Sequence, residues 1–327
     1  MRRVVLSILL VVLAIPLTAQ DLKLPNRDGT VKFAVLGDTG TGGSDQVVVG
    51  RQLASFRPKF PFDFSLLLGD NLYGSENPRD YARKFEVPYK PLLDAGVKFY
   101  AALGNHDDPN QRMYKAFNMN GERYYTFKPA LNVGVRFFAL DSNYMDPRQL
   151  EWLEKELAGS GSDWKIAFFH HPPYASGMHG SDEILKGKLE PLFIKYKVNV
   201  VLTGHEHFYE RIKPQKGIQY FVMGNSAKLR RGDISRSGLT AFGYDSGYAF
   251  MLIEVGGDEM HFVAINEAGK TIDSGVIRKS PADNTVIQTT GTTPGSGAGT
   301  AVTTPVVKPA PAPNPPAGAP KPAAPTR

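Results

Sequence analysis

Residues 31–40 read VKFAVLGDTG, an apolar run that ends in a glycine, an aspartate and a second glycine. Four further segments repeat this pattern of an apolar run followed by polar residues. They read FSLLLGDNLYG over residues 64–74, FYAALGNHD over 99–107, KIAFFHHPPY over 165–174 and VNVVLTGHEH over 198–207. Continuous apolar runs of this length predict strands that are buried on both faces.

Amphipathic stretches between several of these runs predict helices over residues 79–93, 147–157 and 185–196. Alternating strands and helices indicate an α/β fold. In such folds ligands bind beyond the carboxyl ends of the strands. We therefore expect the polar residues after the five runs to form one site.

The later part of the chain has a different pattern. Residues 219–223 predict one more strand, and residues 247–255, 259–265 and 271–277 predict an antiparallel meander with glycine-containing turns. The complete fold is then either one mixed sheet or two stacked sheets.

Both ends of the chain differ from this central region. Arg2 and Arg3 precede an apolar run of about 14 residues, which is shorter than a spanning helix and typical of a secretory signal. We assign residues 1–20 to a signal peptide, and expect a secreted or periplasmic protein without a stable membrane anchor. Residues 280–327 contain eleven prolines and no aromatic residue, so we predict a disordered tail after a domain over residues 21–279.

Composition excludes several classes of protein. The 327 residues include no cysteine, which rules out disulfides, thiolate metal sites and a cysteine nucleophile. The formal net charge is +6, but each end contributes two of these charges. The central region lacks a basic block, so we expect no nucleic-acid partner.

The five predicted strand ends carry oxygen and nitrogen donors that suit divalent metals, and ferric iron where a phenolate is available. Because two residues separated by one lie on the same side of an extended chain, His205 and His207 can bind one ion together. These donors exceed the needs of one metal, and a carboxylate such as Asp38 or Asp70 can bridge two ions. The candidates are Asp38, Asp70, Tyr73, Asn105, His106, His170, His205 and His207.

These five segments resemble the sequence blocks of the calcineurin-like metallophosphoesterase superfamily. Tyr73 is similar to the tyrosine of the purple acid phosphatases, which coordinates ferric iron. About ten residues separate the predicted signal from the first strand, so the chain looks like the small, tartrate-resistant type. The resemblance implies a βαβαβ sandwich of two mixed sheets flanked by helices.

The resemblance also implies roles for individual residues. Asp38, Tyr73 and His207 would hold Fe(III), with Asp70 as the bridge. A divalent ion, Fe, Zn or Mn, would be held by Asn105, His170 and His205. His179, nine residues after His170, and His106 resemble the histidines beside the substrate.

The implied activity is a secreted acid phosphatase that hydrolyses the phosphate monoester of a small molecule or a phosphoprotein. A metal-bound hydroxide would attack phosphorus, and His179 or His106 would protonate the leaving group. One alternative is a phosphodiesterase or nucleotidase on the same pair of metals. The other is a secreted binding module that holds metal without catalysis.

Three more residues near predicted strand ends or within a late strand need an interpretation. His171 precedes two prolines, and we expect it to have a structural role in a rigid turn. His261 is expected to be a surface or packing residue. Asp141 is either structural or a support for the metal ligands.

Overall fold

A computed structural model describes residues 22–130, 134–235, 237–279 and 286–291 of the chain. The predicted signal peptide and most of the predicted tail lie outside these residues. Within the described part, no helix has the length and apolar character needed to cross a membrane.

The described residues form fourteen strands and five α-helices, numbered in chain order. The strands are β1 (Val31–Leu36), β2 (Phe64–Leu67), β3 (Lys98–Ala101), β4 (Tyr125–Phe127), β5 (Val135–Ala139), β6 (Trp164–Phe168), β7 (Val200–Thr203), β8 (Tyr209–Ile212), β9 (Gln219–Met223), β10 (Thr240–Tyr244), β11 (Ala249–Gly256), β12 (Glu259–Asn266), β13 (Thr271–Lys279) and β14 (Val286–Gly291). The helices are α1 (Ser44–Phe56), α2 (Pro78–Tyr81), α3 (Val87–Asp94), α4 (Pro147–Ala158) and α5 (Glu183–Lys195).

The strands form two mixed sheets. Sheet 1 has the order β14-β13-β12-β11-β1-β2-β3, and sheet 2 has the order β10-β8-β9-β7-β6-β5-β4. The strands β1, β2 and β3 are parallel, as are β5, β6, β7 and β9, and antiparallel strands extend both groups. The meander predicted for the late part of the chain is confirmed as β11–β13.

The two sheets stack face to face, which confirms the predicted sandwich. In β1, Phe33 and Val35 point into the core between the sheets, where they pack with residues of sheet 2 such as Phe137. The alternate residues Ala34 and Leu36 pack outward against α1 and α3. Helices α4 and α5 cover the outer face of sheet 2 in the same way. Both faces of the central strands are therefore buried, as the unbroken apolar runs predict.

One predicted helix is divided in the structure. Residues 79–93 form α2, a π-helical turn at Ala82–Glu86 and α3 in succession. Pro88 has no N–H to donate to the carbonyl of Lys84, four residues earlier, so one α-helical hydrogen bond is missing beside the π-helical turn. Gln46 Nε2 donates to that carbonyl oxygen instead, at 2.5 Å.

Helix α1 and strands β4, β8, β10 and β14 were not predicted from the sequence. Helix α1 contains three consecutive valines and a glycine, which are weak helix formers, and it is stabilised by packing on sheet 1. Strand β14 lies inside the predicted disordered tail and pairs with β13. Its β-branched residues favour a strand, so the boundary predicted at residue 279 precedes the last strand of sheet 1.

Candidate dinuclear metal centre

The polar residues that follow the five strands meet at one place, as predicted. Asp38, Asp70, Asn105 and His106 follow strands of sheet 1, whereas His170, His205 and His207 follow strands of sheet 2. Two hydrogen bonds join the sheets here: His205 N donates to Asp38 Oδ2 at 2.9 Å, and His170 Nδ1 lies 2.9 Å from the carbonyl oxygen of Leu68.

The backbone at this junction adopts sparsely populated conformations. Asp38, Asp70 and His205 have φ values of 55°, 52° and 71°, which costs about 1–3 kcal/mol at each residue. Two glycines allow the backbone to lie close to the carboxylates of Asp38 and Asp70. A Cβ on Gly104 would lie 2.2 Å from Asp70 Oδ1, and a Cβ on Gly204 would lie 2.6 Å from Asp38 Oδ2. The glycines of the sequence pattern therefore make room for the carboxylates.

One group of donor atoms consists of Asn105 Oδ1, His170 Nε2 and His205 Nδ1. The two nitrogens lie 2.9 and 3.0 Å from the Asn105 oxygen, and 3.2 Å from each other. We call this the Asn105 group.

The chemistry of the Asn105 group fits a metal ion. The carbonyl of Leu68 can only accept, so His170 in its neutral, metal-binding form carries its hydrogen on Nδ1 and presents a lone pair at Nε2. That lone pair faces the oxygen of Asn105, which is also an acceptor. Two acceptors at this distance repel each other, and a cation bound by both removes the repulsion.

A second group of donors lies beside the first and consists of Asp38, Tyr73 and His207. The Tyr73 hydroxyl donates to Asp38 Oδ1 at 3.1 Å, and His207 Nε2 lies 3.5 Å from both of these oxygens. Asp38 is fully buried, and Tyr73 and His207 are partly buried. We call this the Tyr73 group.

Asp70 connects the two groups. It can share an ion with Asp38 and His207, and its Oδ1 lies 3.4 Å from His170 Nε2 of the Asn105 group. The backbone N–H of His106 donates to the same Oδ1 at 3.0 Å, which holds the carboxylate in place. The geometry therefore suits two ions that share this carboxylate.

The electrostatics of the groups favour bound cations. Burial raises the pKa of Asp38 well above its ordinary value, an effect that His170 opposes and Asp70 reinforces. Burial, followed by the charges of Asp38 and Asp70, also raises the pKa of Tyr73. The pKa values of Asp38 and Tyr73 rise because these buried acidic groups lie close to other acidic groups and lack enough positive charge nearby.

The imidazoles are shifted in the opposite direction. Burial and then the neighbouring histidines lower the pKa of His205 to about 2. Burial, followed by Arg230 and Lys228, lowers the pKa of His207 to about 4. Both rings are therefore neutral in mildly acidic solution, and the neutral ring is the form that binds metal.

The two histidines predicted to act on the substrate lie at the solvent-exposed rim of the metal centre. The ring of His106 is exposed and lies 5.0 Å from the ring of Tyr73. The ring of His179 is exposed and lies 4.5 Å from the ring of His205. The structure thus places one histidine beside each group of donors.

Sequence reasoning missed Glu206, which holds His179 in place. This carboxylate is buried between the two histidines of the His-x-His pair. Its Oε1 accepts a hydrogen bond from the backbone N–H of Gly180 at 2.9 Å, and its Oε2 lies 3.3 Å from His179 Nδ1. The position between two candidate ligands was a signal available in the sequence, although the partners of Glu206 were not.

The family model for calcineurin-like phosphoesterases matches residues 31–209. This chain belongs to that family. Purple acid phosphatase 17 of Arabidopsis thaliana is 27% identical over 263 residues, which cover 68% of this chain and 77% of the relative. Tartrate-resistant acid phosphatase type 5 of Homo sapiens is 27% identical over 308 residues, which cover 78% of this chain and 94% of the relative. The predicted resemblance to the purple acid phosphatases is confirmed.

The fold is similar to a solved structure described as GAP50, the anchor in the inner membrane complex of Plasmodium. The TM-score is 0.67 at 17% identity, with 79% of this chain and 90% of that chain covered. At this identity the similarity concerns the fold alone.

The remaining candidate residues of this phosphoesterase have clear surroundings. His171, for which we expected a structural role in a turn, lies with His170 and His205 in a group that could hold an ion. It therefore lies beside the metal centre. Its Nδ1 lies 2.8 Å from Ser142 Oγ. Asp141 accepts a hydrogen bond from Arg123 at 2.9 Å and is absent from both candidate groups, and His261 bonds with Glu259 at 3.0 Å.

A cavity of about 460 Å³ adjoins the Asn105 group of this phosphoesterase. Asn105, His171 and the exposed side chain of Tyr144 line it. The cavity offers space for an organic group next to the metal centre. Its lining residues come from loops far apart in the sequence.

Substitution of Gly204 by alanine tests the close approach at the junction. The new Cβ would displace the Asp38 carboxylate, so we expect metal content to fall from about two ions per chain to one or fewer. Gly187→Ala is the control, because nothing lies within 4 Å of a Cβ at that helical position. Elemental analysis after dialysis measures the result, and full metal retention in Gly204→Ala would contradict the geometry.

Proposed function

We propose that this protein is a secreted acid phosphatase that hydrolyses phosphate monoesters at a pair of metal ions. The single observation that carries the proposal is the presence of two donor groups joined by Asp70. The similarity to acid phosphatases in plants and mammals supports the same reaction class. The substrate class is a phosphate ester of a small molecule or a phosphoprotein.

The donor types suggest which ion occupies each group. Tyr73 supplies a phenol oxygen, and together with Asp38 and His207 it suits Fe(III). Asn105, His170 and His205 suit a divalent ion, which is Fe, Zn or Mn. When bound, the two ions would neutralise phosphate oxygens and activate water for attack on phosphorus.

The protein's own residues would bind the ester and supply the proton. The cavity beside Asn105 would receive the organic part of the ester. The ring of His179 lies 4.5 Å from the ring of His205 in the Asn105 group, where it can protonate the departing oxygen. Glu206 acts as a positioning residue, because it orients Nδ1 of His179 and holds the backbone of Gly180. His106 is the second proton donor that the geometry allows.

Export is part of this proposal. The Arg-Arg pair and the apolar run within residues 1–20 have the pattern of a cleaved signal, and the absence of cysteine suits a domain that relies on its core alone.

The alternatives remain distinct from this proposal. A phosphodiesterase or nucleotidase would use the same metals and differ in the pocket for the organic group. A binding module without catalysis would not need every donor, yet all seven predicted ligands are present and brought together. We therefore favour an enzyme, and the comparison of monoester with diester substrates separates the first alternative.

Metal analysis with an absorption spectrum tests the proposed cofactor. We expect bound iron and a visible band from the Tyr73 phenolate bound to Fe(III), together with faster hydrolysis of p-nitrophenyl phosphate than of its bis-ester. His207→Ala should lose the band and most of the activity, and His261→Ala, in a distant strand, should retain both. Protein that holds no iron and has no band would refute the Fe(III) assignment.

A Glu206→Gln variant tests the positioning of His179. A misplaced proton donor matters most when the leaving group is a poor one, so kcat for an alkyl phosphate should fall about 10- to 100-fold. The rate for p-nitrophenyl phosphate, which needs little protonation, should fall less than about threefold. Glu259→Gln serves as the matched control. Equal losses for both esters would mean that Glu206 supports the fold and does not act through His179.

A further inference from the structure

Lys228 lies against the Tyr73 group, although nothing in its local sequence marks it as a site residue. It is half-buried in the loop that follows β9. Its Nζ lies over the ring of Tyr73, 4.4 Å from the centroid. That ring carries the hydroxyl that bonds with Asp38, so Lys228 borders the place where the first ion would bind.

The loop that carries Lys228 is attached to the metal centre. The backbone N–H of Arg230 donates to the carbonyl of His207 at 3.1 Å. Arg230 itself forms ion pairs with Glu206 at 3.6 Å and with Asp233 at 3.3 Å. Its charge is therefore compensated by two carboxylates.

Lys228 differs from Arg230 in this respect. Among the residues that the structure describes, no carboxylate lies within ion-pairing distance of its Nζ, and the ammonium of the side chain contacts the ring of Tyr73 alone. A partly buried ammonium group pays a desolvation cost, and contact with an aromatic face offsets only part of it. An anionic group at the metal centre would provide the missing partner.

The chemistry of the substrate identifies that partner. A phosphate monoester has three unesterified oxygens and carries up to two negative charges, whereas a diester has two such oxygens and one charge. Lysine is a common phosphate ligand because its ammonium is a compact charge with three donors. A lysine beside the ions would therefore stabilise a monoester more than a diester.

We propose that Lys228 binds an unesterified oxygen of the substrate and gives the site its preference for monoesters over diesters. This inference rests on the proposed phosphatase function and adds a specificity-determining residue to it. The selectivity follows from charge. Both esters have two unesterified oxygens, but only the monoester has a third unesterified oxygen and a second negative charge, with which Lys228 can interact.

The test compares Lys228→Gln with Lys228→Arg and with Lys216→Gln, which changes an exposed lysine in the turn between β8 and β9. Each metal-loaded protein is assayed with p-nitrophenyl phosphate and with bis(p-nitrophenyl) phosphate near pH 7, where most of the monoester is the dianion. In Lys228→Gln we expect kcat/KM for the monoester to fall at least about tenfold, and for the diester less than about threefold. Lys228→Arg should retain most of the preference, and Lys216→Gln all of it.

Phosphate binding provides a readout that does not depend on turnover. Calorimetry with inorganic phosphate should give a Kd at least about tenfold weaker for Lys228→Gln than for the wild type, at equal metal content. Dimethyl phosphate, a monoanion, should bind the two proteins equally.

The outcomes separate this inference from the function on which it rests. If the ratio of monoester to diester hydrolysis and the phosphate affinity are unchanged in Lys228→Gln, the inference is wrong although the phosphatase function stands. Equal losses for both esters also overturn it. If the metal-loaded wild type hydrolyses neither ester, the proposed function itself fails.

Discussion

The metal centre depends on one electrostatic constraint. Imidazole nitrogens, an amide oxygen and acidic side chains from both sheets lie against one another where the strands end. Asp38 is buried beside Asp70, and ring nitrogens of His170 and His205 lie 2.9 and 3.0 Å from the oxygen of Asn105. Charged groups are costly to bury without partners of opposite sign, and acceptors repel acceptors. Positive charge from bound ions resolves both problems at once, so the same contacts that are unfavourable in the free protein become the ligands of a metal centre.

The fold is arranged to maintain this constraint. Three candidate ligands have left-handed backbone conformations, and glycines leave space for the carboxylates beside them. Such strain persists only where the surroundings hold it, and here the buried sandwich supplies that support on both faces of the central strands. Hydrogen bonds between the loops of the two sheets, such as that from His205 N to Asp38, make the centre part of the interface between sheets.

Much of this arrangement could be predicted from the sequence, because the strand ends and their polar residues are local patterns. The meander and the convergence of the donors follow from those patterns, and the family resemblance supplies the sandwich of two sheets and the pairing of ligands. Features that depend on long-range packing could not be predicted. Helix α1 is stabilised by contact with sheet 1 and not by the helix propensity of its residues, and Lys228 meets Tyr73 across more than 150 residues of chain. Glu206 is an intermediate case, since its position was visible but its contact with His179 was not.

Anomalous diffraction from crystals of the metal-loaded protein tests the central claim most directly. Two peaks about 3.5–4 Å apart are expected, one bound by Asp38, Tyr73 and His207 and the other by Asn105, His170 and His205, with Asp70 in contact with both. A single peak, or a peak held by His171 with Asp70 left unbound, would contradict the account of a shared dinuclear centre.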